Sequence, residues 1–115
     1  MLCLTTEAAL LKALAHPTRL CILQVLAQEE ACVCHLTAVT GQRQANISQH
    51  LTVLREAGLV QDRRDGVLVY YRLADPRLWE ALALLCEVGC AACERPLRSV
   101  PHSPVPGCPC PKCKV

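Results

Sequence analysis

Residues 44–73 read QANISQHLTVLREAGLVQDRRDGVLVYYRL, and the order of patterns in this stretch decides the fold. In its first half, apolar residues recur at helical spacing from Ile47 to Leu54, and Gly58 suits a left-handed helix end. In its second half, two runs rich in β-branched and aromatic residues flank Asp65-Gly66, a strong signal for a two-residue hairpin turn. The stretch therefore predicts a helix followed by a β-hairpin.

Three more helices are predicted before this stretch and one after it. They span about residues 5–15, 17–28, 31–40 and 76–94, and Asp75-Pro76 supplies the N-cap and first position of the last helix. Gly41 provides a tight turn between the third and fourth helices. The order α-α-α-α-β-β-α with that turn predicts a winged helix-turn-helix, a mainly α fold with a small β-hairpin.

The polar face of the fourth helix carries the side chains expected to contact DNA. Such side chains exchange hydrogen bonds with base edges and phosphates, while arginines neutralise backbone charge. The same polarity also suits a solvated helix face, and the order of elements is what favours DNA. The predicted contacts are Arg43, Gln44, Asn46, Ser48, Gln49 and His50 on this helix, with Arg63 and Arg64 on the wing.

Composition limits the class of protein. A chain of 115 residues suffices for one domain, and a domain this small gains from burying surface against a second copy. The net charge of +2 permits nucleic-acid binding without requiring it. Residues 1–15 lack the features of a signal peptide, and no apolar run approaches the roughly 20 residues of a membrane span. We therefore expect a cytoplasmic protein with reduced thiols and no membrane partner.

The chain changes character at Pro96. Five prolines fall between positions 101 and 111, a density that neither a packed helix nor a central strand accepts. The sequence therefore predicts a folded DNA-binding and dimerisation domain over residues 1–95. Residues 96–115 are expected to form an extended or disordered tail rich in proline and cysteine.

Separated motifs in the chain resemble those of a known family. They are Ala13–Arg19, Asn46–Val60, Arg63–Gly66 and Val69–Leu73. In this order they resemble the ArsR/SmtB family of metal-responsive repressors, and the likeness covers about residues 7–90. The resemblance implies a homodimer, joined through its first and last helices, that binds a palindromic operator in double-stranded DNA near a resistance operon. It implies neither an enzyme nor a small organic substrate.

Cys32 and Cys34 resemble the metal box that opens the helix before the recognition helix in the arsenic and cadmium/lead repressors. Residues two apart on a regular helix point about 200° away from each other, so capture of one ion by both thiolates is expected to reshape the start of that helix. Thr37 stands where a third family cysteine occurs, and Cys3 could supply the missing ligand. The alternative is that both cysteines are small buried hydrophobic residues.

The other cysteines offer further ligand candidates. Spacings of four and three place three of them near one face of the last helix, and three more lie in the tail. Cys90 and Cys93 also match a redox motif, but they end a helix instead of beginning one, which argues against an oxidoreductase. Cys21 is expected in the core, and His16 and His35 are expected to cap helices or lie at the surface. The ligand candidates are Cys86, Cys90, Cys93, Cys108, Cys110 and Cys113.

The functional hypothesis is a repressor released from DNA when thiolates capture a soft ion. Because thiolates with little imidazole or carboxylate support select soft ions, As(III) or Sb(III) is favoured over Cd(II), Pb(II), Hg(II) or Zn(II). One alternative is a repressor of the same fold whose Cys90 or Cys93 forms a disulfide or persulfide. Another, of a different class, is a cysteine-rich metal carrier or buffer.

Overall fold

A computed structural model describes residues 4–89 of the chain, and its elements confirm the predicted fold class. The elements are helices α1 (Leu4–Leu14) and α2 (Pro17–Leu26), strand β1 (Ala31–Cys32), helices α3 (Val33–Thr40) and α4 (Gln44–Glu56), strands β2 (Val60–Asp65) and β3 (Leu68–Leu73), and helix α5 (Arg77–Gly89). The order is that of a winged helix-turn-helix with one additional short strand.

That additional strand corrects the prediction for the third helix. The sequence predicts a helix from residue 31, whereas Ala31 and Cys32 form β1 and α3 begins at Val33. β1 pairs antiparallel with β3, with Ala31 opposite Tyr71 and Cys32 opposite Tyr70, so the sheet order is β1-β3-β2. A two-residue strand has no periodicity to detect in sequence, because a strand is recognised by alternation over at least four residues.

The predicted hairpin forms, but its turn residues are Gly66 and Val67, one position later than the predicted Asp65-Gly66. Asp65 lies opposite Leu68 and Arg64 opposite Val69, which leaves a two-residue turn at the tip. Gly66 in that turn has φ +63°, a left-handed conformation that favours glycine. β2 and β3 are therefore the wing, and β1 joins the wing to the segment that leads into α3.

The hydrophobic core lies beneath α4 and holds it against α2, α3 and the base of the wing. Full burial of one such side chain contributes about 1.5–3 kcal/mol. Since the inward positions of α4 follow helical spacing, its polar residues must lie on the opposite face. The largest fully buried side chains are Ile22, Leu23, Leu36, Ile47, Leu51, Leu54 and Val60.

Helices α1 and α5 leave apolar side chains in contact with solvent. Leu11 is 54% exposed, Leu85 is 55% and Val88 is 77%, and Leu82 is the buried residue of α5. A groove of about 330 Å³ runs between the two helices and is lined by Leu11, Leu14, Ala15, Leu20, Leu82, Leu85 and Cys86. Contiguous apolar surface of this kind marks an interaction site more often than a free surface.

Between residues 4 and 89, no single helix has the length and apolar character needed to cross a membrane. Helices α1 and α2 pass such a test only as a pair, and they are bent by 85° relative to each other.

Candidate nucleic-acid interface

The outward face of α4 is built by the turn before the helix and by the core beneath it. Gly41 ends α3 with φ +71°, a conformation that favours glycine, and Arg43 is the extended N-cap of α4. Gln44 and Gln49 are exposed, and His50 is half-buried. The polar face predicted from the sequence is therefore a single accessible surface on the second helix of the helix-turn-helix. Its exposed members are Arg43, Gln44, Asn46, Ser48 and Gln49.

The two arginines of β2 have different surroundings. Arg63 forms a salt bridge with Glu30, just before β1, and its guanidinium carbon lies 5.0 Å from the ring centroid of Tyr70. Arg64, the next residue, is also exposed, and successive strand residues point to opposite faces. Arg63 therefore fastens the wing to the segment before α3, and Arg64 lies on the other face of the strand.

The thiols at the start of α3 occupy a strand–helix junction. Cys32 is 2% exposed and forms a small buried cluster with Tyr70, and Cys34 packs against this cluster. Cys32 has extended backbone angles (φ −85°, ψ 166°) as the N-cap of α3. The expectation that both thiols lie within one helical turn is therefore wrong, because pairing with β3 holds Cys32 outside the helix. Among residues 4–89 no group of three or more His, Cys, Asp or Glu could hold a metal ion.

The remaining ligand candidates are mostly beyond the described part of the chain. Cys86 is exposed on α5, at the groove beside α1. Cys21 is half-buried on α2 rather than fully in the core, and burial raises the pKa of its thiol. The candidates outside residues 4–89 are Cys3, Cys90, Cys93, Cys108, Cys110 and Cys113.

A cluster of two imidazoles and one guanidinium lies beside the exposed face of α4. The Nε of Arg19 donates to Nδ1 of His50 over 3.1 Å, and the ring centroids of His16 and His50 are 4.4 Å apart. Desolvation by burial lowers the pKa of His50, and electrostatic interaction with His16 and Arg19 lowers it further. The cluster adjoins a cleft of about 490 Å³ lined by Arg19, Ser48, Gln49, His50, Thr52 and Val53.

Comparison with known proteins identifies the family. The profile of bacterial regulatory proteins of the arsR family matches residues 16–62. The chain is 45% identical over 87 residues to the biofilm growth-associated repressor of Agrobacterium fabrum, an overlap that covers 76% of this chain and 74% of that protein. This protein belongs to the ArsR family. It is also 48% identical over 66 residues to the arsenical resistance operon repressor of Escherichia coli, covering 56% of each chain.

Solved structures of other regulators share the fold of this ArsR-family protein. The homodimeric winged helix-turn-helix DNA-binding domain of a possible ArsR-family regulator from Mycobacterium bovis superposes with a TM-score of 0.70 at 34% identity, over 80% of this chain and 88% of that one. Reduced HlyU from Vibrio cholerae superposes with a TM-score of 0.65 at 35% identity, over 75% and 94% of the two chains. The protein is thus a transcriptional regulator of the winged-helix type and not an enzyme.

The observed positions of two histidines and one arginine in this ArsR-family regulator can be compared with the sequence predictions. His16 caps α2 as expected, since its Nδ1 accepts from the backbone N–H of Thr18 at 3.1 Å. His35 is 6% exposed, so its expected place at a cap or at the surface is wrong. Arg19 belongs to a family motif, but no pattern in the sequence pointed to its bond with His50, 31 residues away. In the sequence, the one indication of this contact was the position of Arg19 one helical turn after His16, the cap residue of α2.

Proposed function

We propose that this ArsR-family protein is a homodimeric operator-binding repressor that a soft metalloid releases from DNA through Cys32 and Cys34. The observation that carries the proposal is the place of Cys32, whose backbone pairs with Tyr70 in the wing while the residue caps α3. A ligand of this thiol therefore acts at the point where the wing and the helix-turn-helix meet. Similarity to an arsenical resistance repressor favours As(III) or Sb(III) over Cd(II), Pb(II), Hg(II) and Zn(II).

The DNA-binding half of the proposal rests on the outward face of α4. In the bound state this helix enters the major groove, where its amide, hydroxyl and imidazole groups contact base edges. Arg43 and Arg64 supply charge for phosphates. The proposed contacts remain Arg43, Gln44, Asn46, Ser48, Gln49, His50, Arg63 and Arg64.

A second copy of the chain covers the apolar surface of α1 and α5 in this proposal. Exposed Leu11 of α1 and exposed Leu85 of α5 line the same groove, and a twofold dimer buries the same patch on each partner. Two recognition helices related by that symmetry then address the two halves of a palindromic operator. We further propose that the domain ends at residue 95 and that residues 96–115 form a tail of the cytoplasmic repressor.

Release follows from the burial of Cys32. With 2% of the residue exposed, the thiolate of Cys32 cannot join the other ligands of an ion while β1 remains paired with β3. An inducing ion therefore has higher affinity for a state in which β1 is detached, and it shifts the population towards that state. Detachment frees the wing from the start of α3, so the groove-binding elements lose their common orientation.

The donor set at the junction is incomplete by itself. Two soft thiolates suit a thiophilic ion, but arsenite takes three, and the described residues bring no third ligand near Cys32 and Cys34. The third thiolate then comes from a cysteine elsewhere in the same chain or in the partner copy. The candidates are Cys3, Cys86, Cys90, Cys93, Cys108, Cys110 and Cys113.

The test is a DNA-release titration on fully reduced protein with arsenite, cadmium, lead, zinc and peroxide. Cys34→Ser should bind DNA like the parent and fail to release it with arsenite, because serine lacks the soft thiolate. Cys21→Ser is the matched control, since it removes a half-buried thiol of α2 and should respond normally. Release of the Cys34→Ser variant at parental arsenite concentrations would place the sensor elsewhere.

A thiol switch on the same fold is the second candidate. It is favoured by the similarity to the structure of reduced HlyU, in which the aligned region covers 94% of the HlyU chain. In this case peroxide, and not arsenite, releases the reduced protein from DNA by oxidising a cysteine such as Cys90 or Cys93. The same titration separates the two candidates, since an ion bound by thiolates releases DNA while excess reductant is present, whereas peroxide acts only after that reductant is removed.

A further inference from the structure

Arg19 makes three hydrogen bonds that link three helices, although the proposed DNA contacts do not include it. Its Nη1 donates to the backbone oxygens of Ala13 at 3.2 Å and Lys12 at 3.4 Å, at the carboxyl end of α1. Its Nε donates to Nδ1 of His50 on α4 at 3.1 Å. The carbonyls of α1 thus fix the guanidinium, and the guanidinium in turn fixes one imidazole of the recognition helix.

The bond from Arg19 determines where His50 carries its proton. A guanidinium only donates, so Nδ1 of His50 must accept, and the proton of the neutral ring is on Nε2. His16 is constrained in the same way, because its Nδ1 accepts from the N–H of Thr18. In this geometry each of the two neighbouring rings accepts at Nδ1, so each has Nε2–H as its remaining donor.

The surroundings of His50 keep that ring neutral. Desolvation by burial lowers its pKa, and electrostatic interaction with His16 and with the Arg19 guanidinium, both from the α2 side of the cluster, lowers it further. Protonation of Nδ1 would also set two donors against each other and break the bond from Arg19. The recognition helix accordingly presents an uncharged donor at this position, next to the cleft that Ser48 and Gln49 line.

We propose that Arg19 is a positioning residue for operator recognition, which holds His50 so that its Nε2–H donates to a hydrogen-bond acceptor on the DNA. The inference rests on the proposed DNA interface and adds to it a residue that does not itself touch DNA. The acceptor is guanine O6 or N7, adenine N7, thymine O4 or a phosphate oxygen. The oriented ring loses less conformational freedom on binding than a freely rotating one.

A double-mutant cycle on DNA affinity tests this inference. The probe is a duplex selected from a random library by the parental protein, and an unrelated duplex of equal length is measured beside it. Arg19→Ala should weaken binding to the selected duplex about tenfold. The same substitution in a His50→Ala background should have almost no further effect, because the residue through which Arg19 acts is absent. His50→Gln, which retains an acceptor for Arg19 and a donor for DNA, should restore the coupling.

Two further measurements keep the result independent of folding. Arg19→Lys retains the charge and can still reach the carboxyl end of α1, but it lacks the planar fork that serves Ala13 and His50 together. It should therefore lower DNA affinity while changing thermal stability less than Arg19→Ala does. In nuclear magnetic resonance titrations, loss of Arg19 should raise the pKa of His50 while the signals of the core side chains stay at their parental positions, so that the rise is not caused by loss of burial.

The outcomes separate the inference from the DNA interface on which it rests. If His50→Ala leaves affinity unchanged, the proposed placement of His50 on DNA fails. If His50→Ala weakens binding but Arg19→Ala weakens it equally in both backgrounds, Arg19 does not act through His50 and the positioning role is refuted. A coupled loss confined to the selected duplex identifies a base acceptor, and an equal coupled loss on both duplexes identifies a phosphate; both support the positioning role.

Discussion

Gln49→Ala should separate DNA recognition from folding on a single helix. Gln49 is exposed, whereas Leu51, two residues later, is 1% exposed and packs in the core beneath α4. A surface substitution of this kind changes stability by at most about 0.5 kcal/mol. For a domain of this size that corresponds to a shift of about 2–4 °C in the unfolding temperature. The fold should therefore be almost unaffected.

The effect on DNA binding is expected to be much larger than the effect on stability. One base-directed contact contributes about 1–3 kcal/mol, and a symmetric dimer on a palindrome loses two such contacts. If the two contacts are independent, the total loss is at least about 2 kcal/mol, which is roughly a 30-fold weakening. Fluorescence anisotropy with a labelled duplex measures this, and circular dichroism on the same samples measures unfolding.

Leu51→Ala is the control on the same helix. Removal of a fully buried leucine costs about 2–5 kcal/mol, a large part of the 5–15 kcal/mol available to a small domain. This variant should lose stability and DNA binding together, while Gln49→Ala loses only the binding. Parental DNA affinity in both Gln49→Ala and Asn46→Ala would show that this face of α4 does not contact DNA.

Three other predictions concern assembly, protonation and the domain boundary. Leu85→Glu should convert the dimer to a monomer, as measured by light scattering, because it places a charge in the groove between α1 and α5. The control Val67→Glu changes a residue that is 99% exposed at the wing tip and should leave the dimer intact. Burial and nearby positive charge lower the pKa of His50 in the folded protein, so the unfolded chain binds this proton first as the pH falls. The free energy of unfolding should therefore decrease below about pH 6.5, and His50→Gln should make that decrease smaller. Truncation after Arg95 should preserve the unfolding temperature and DNA affinity, and a truncated protein that does not fold would contradict the boundary at residue 95.

The sequence by itself determined the elements whose signals are local. The three-to-four-residue spacing of Ile47, Leu51 and Leu54 sets both the existence of α4 and the direction of its polar face. Asp65-Gly66 predicts the hairpin turn to within one residue, and Asp75 caps α5 by accepting from the N–H of Arg77 at 2.9 Å. Each of these depends on residues a few positions apart, so the chemistry of a short segment suffices to predict it.

Only the tertiary structure decided the contacts that tie these elements into a site. Cys32 leaves α3 because Tyr70, 38 positions further along the chain, offers a strand to pair with. The bonds from Arg63 to Glu30 and from Arg19 to His50 join residues 33 and 31 positions apart. Which distant groups meet depends on how the core stacks the helices against the wing, and that stacking optimises buried volume over the whole domain. Because no single segment contains that information, periodicity could locate the recognition helix but not the residues that orient it.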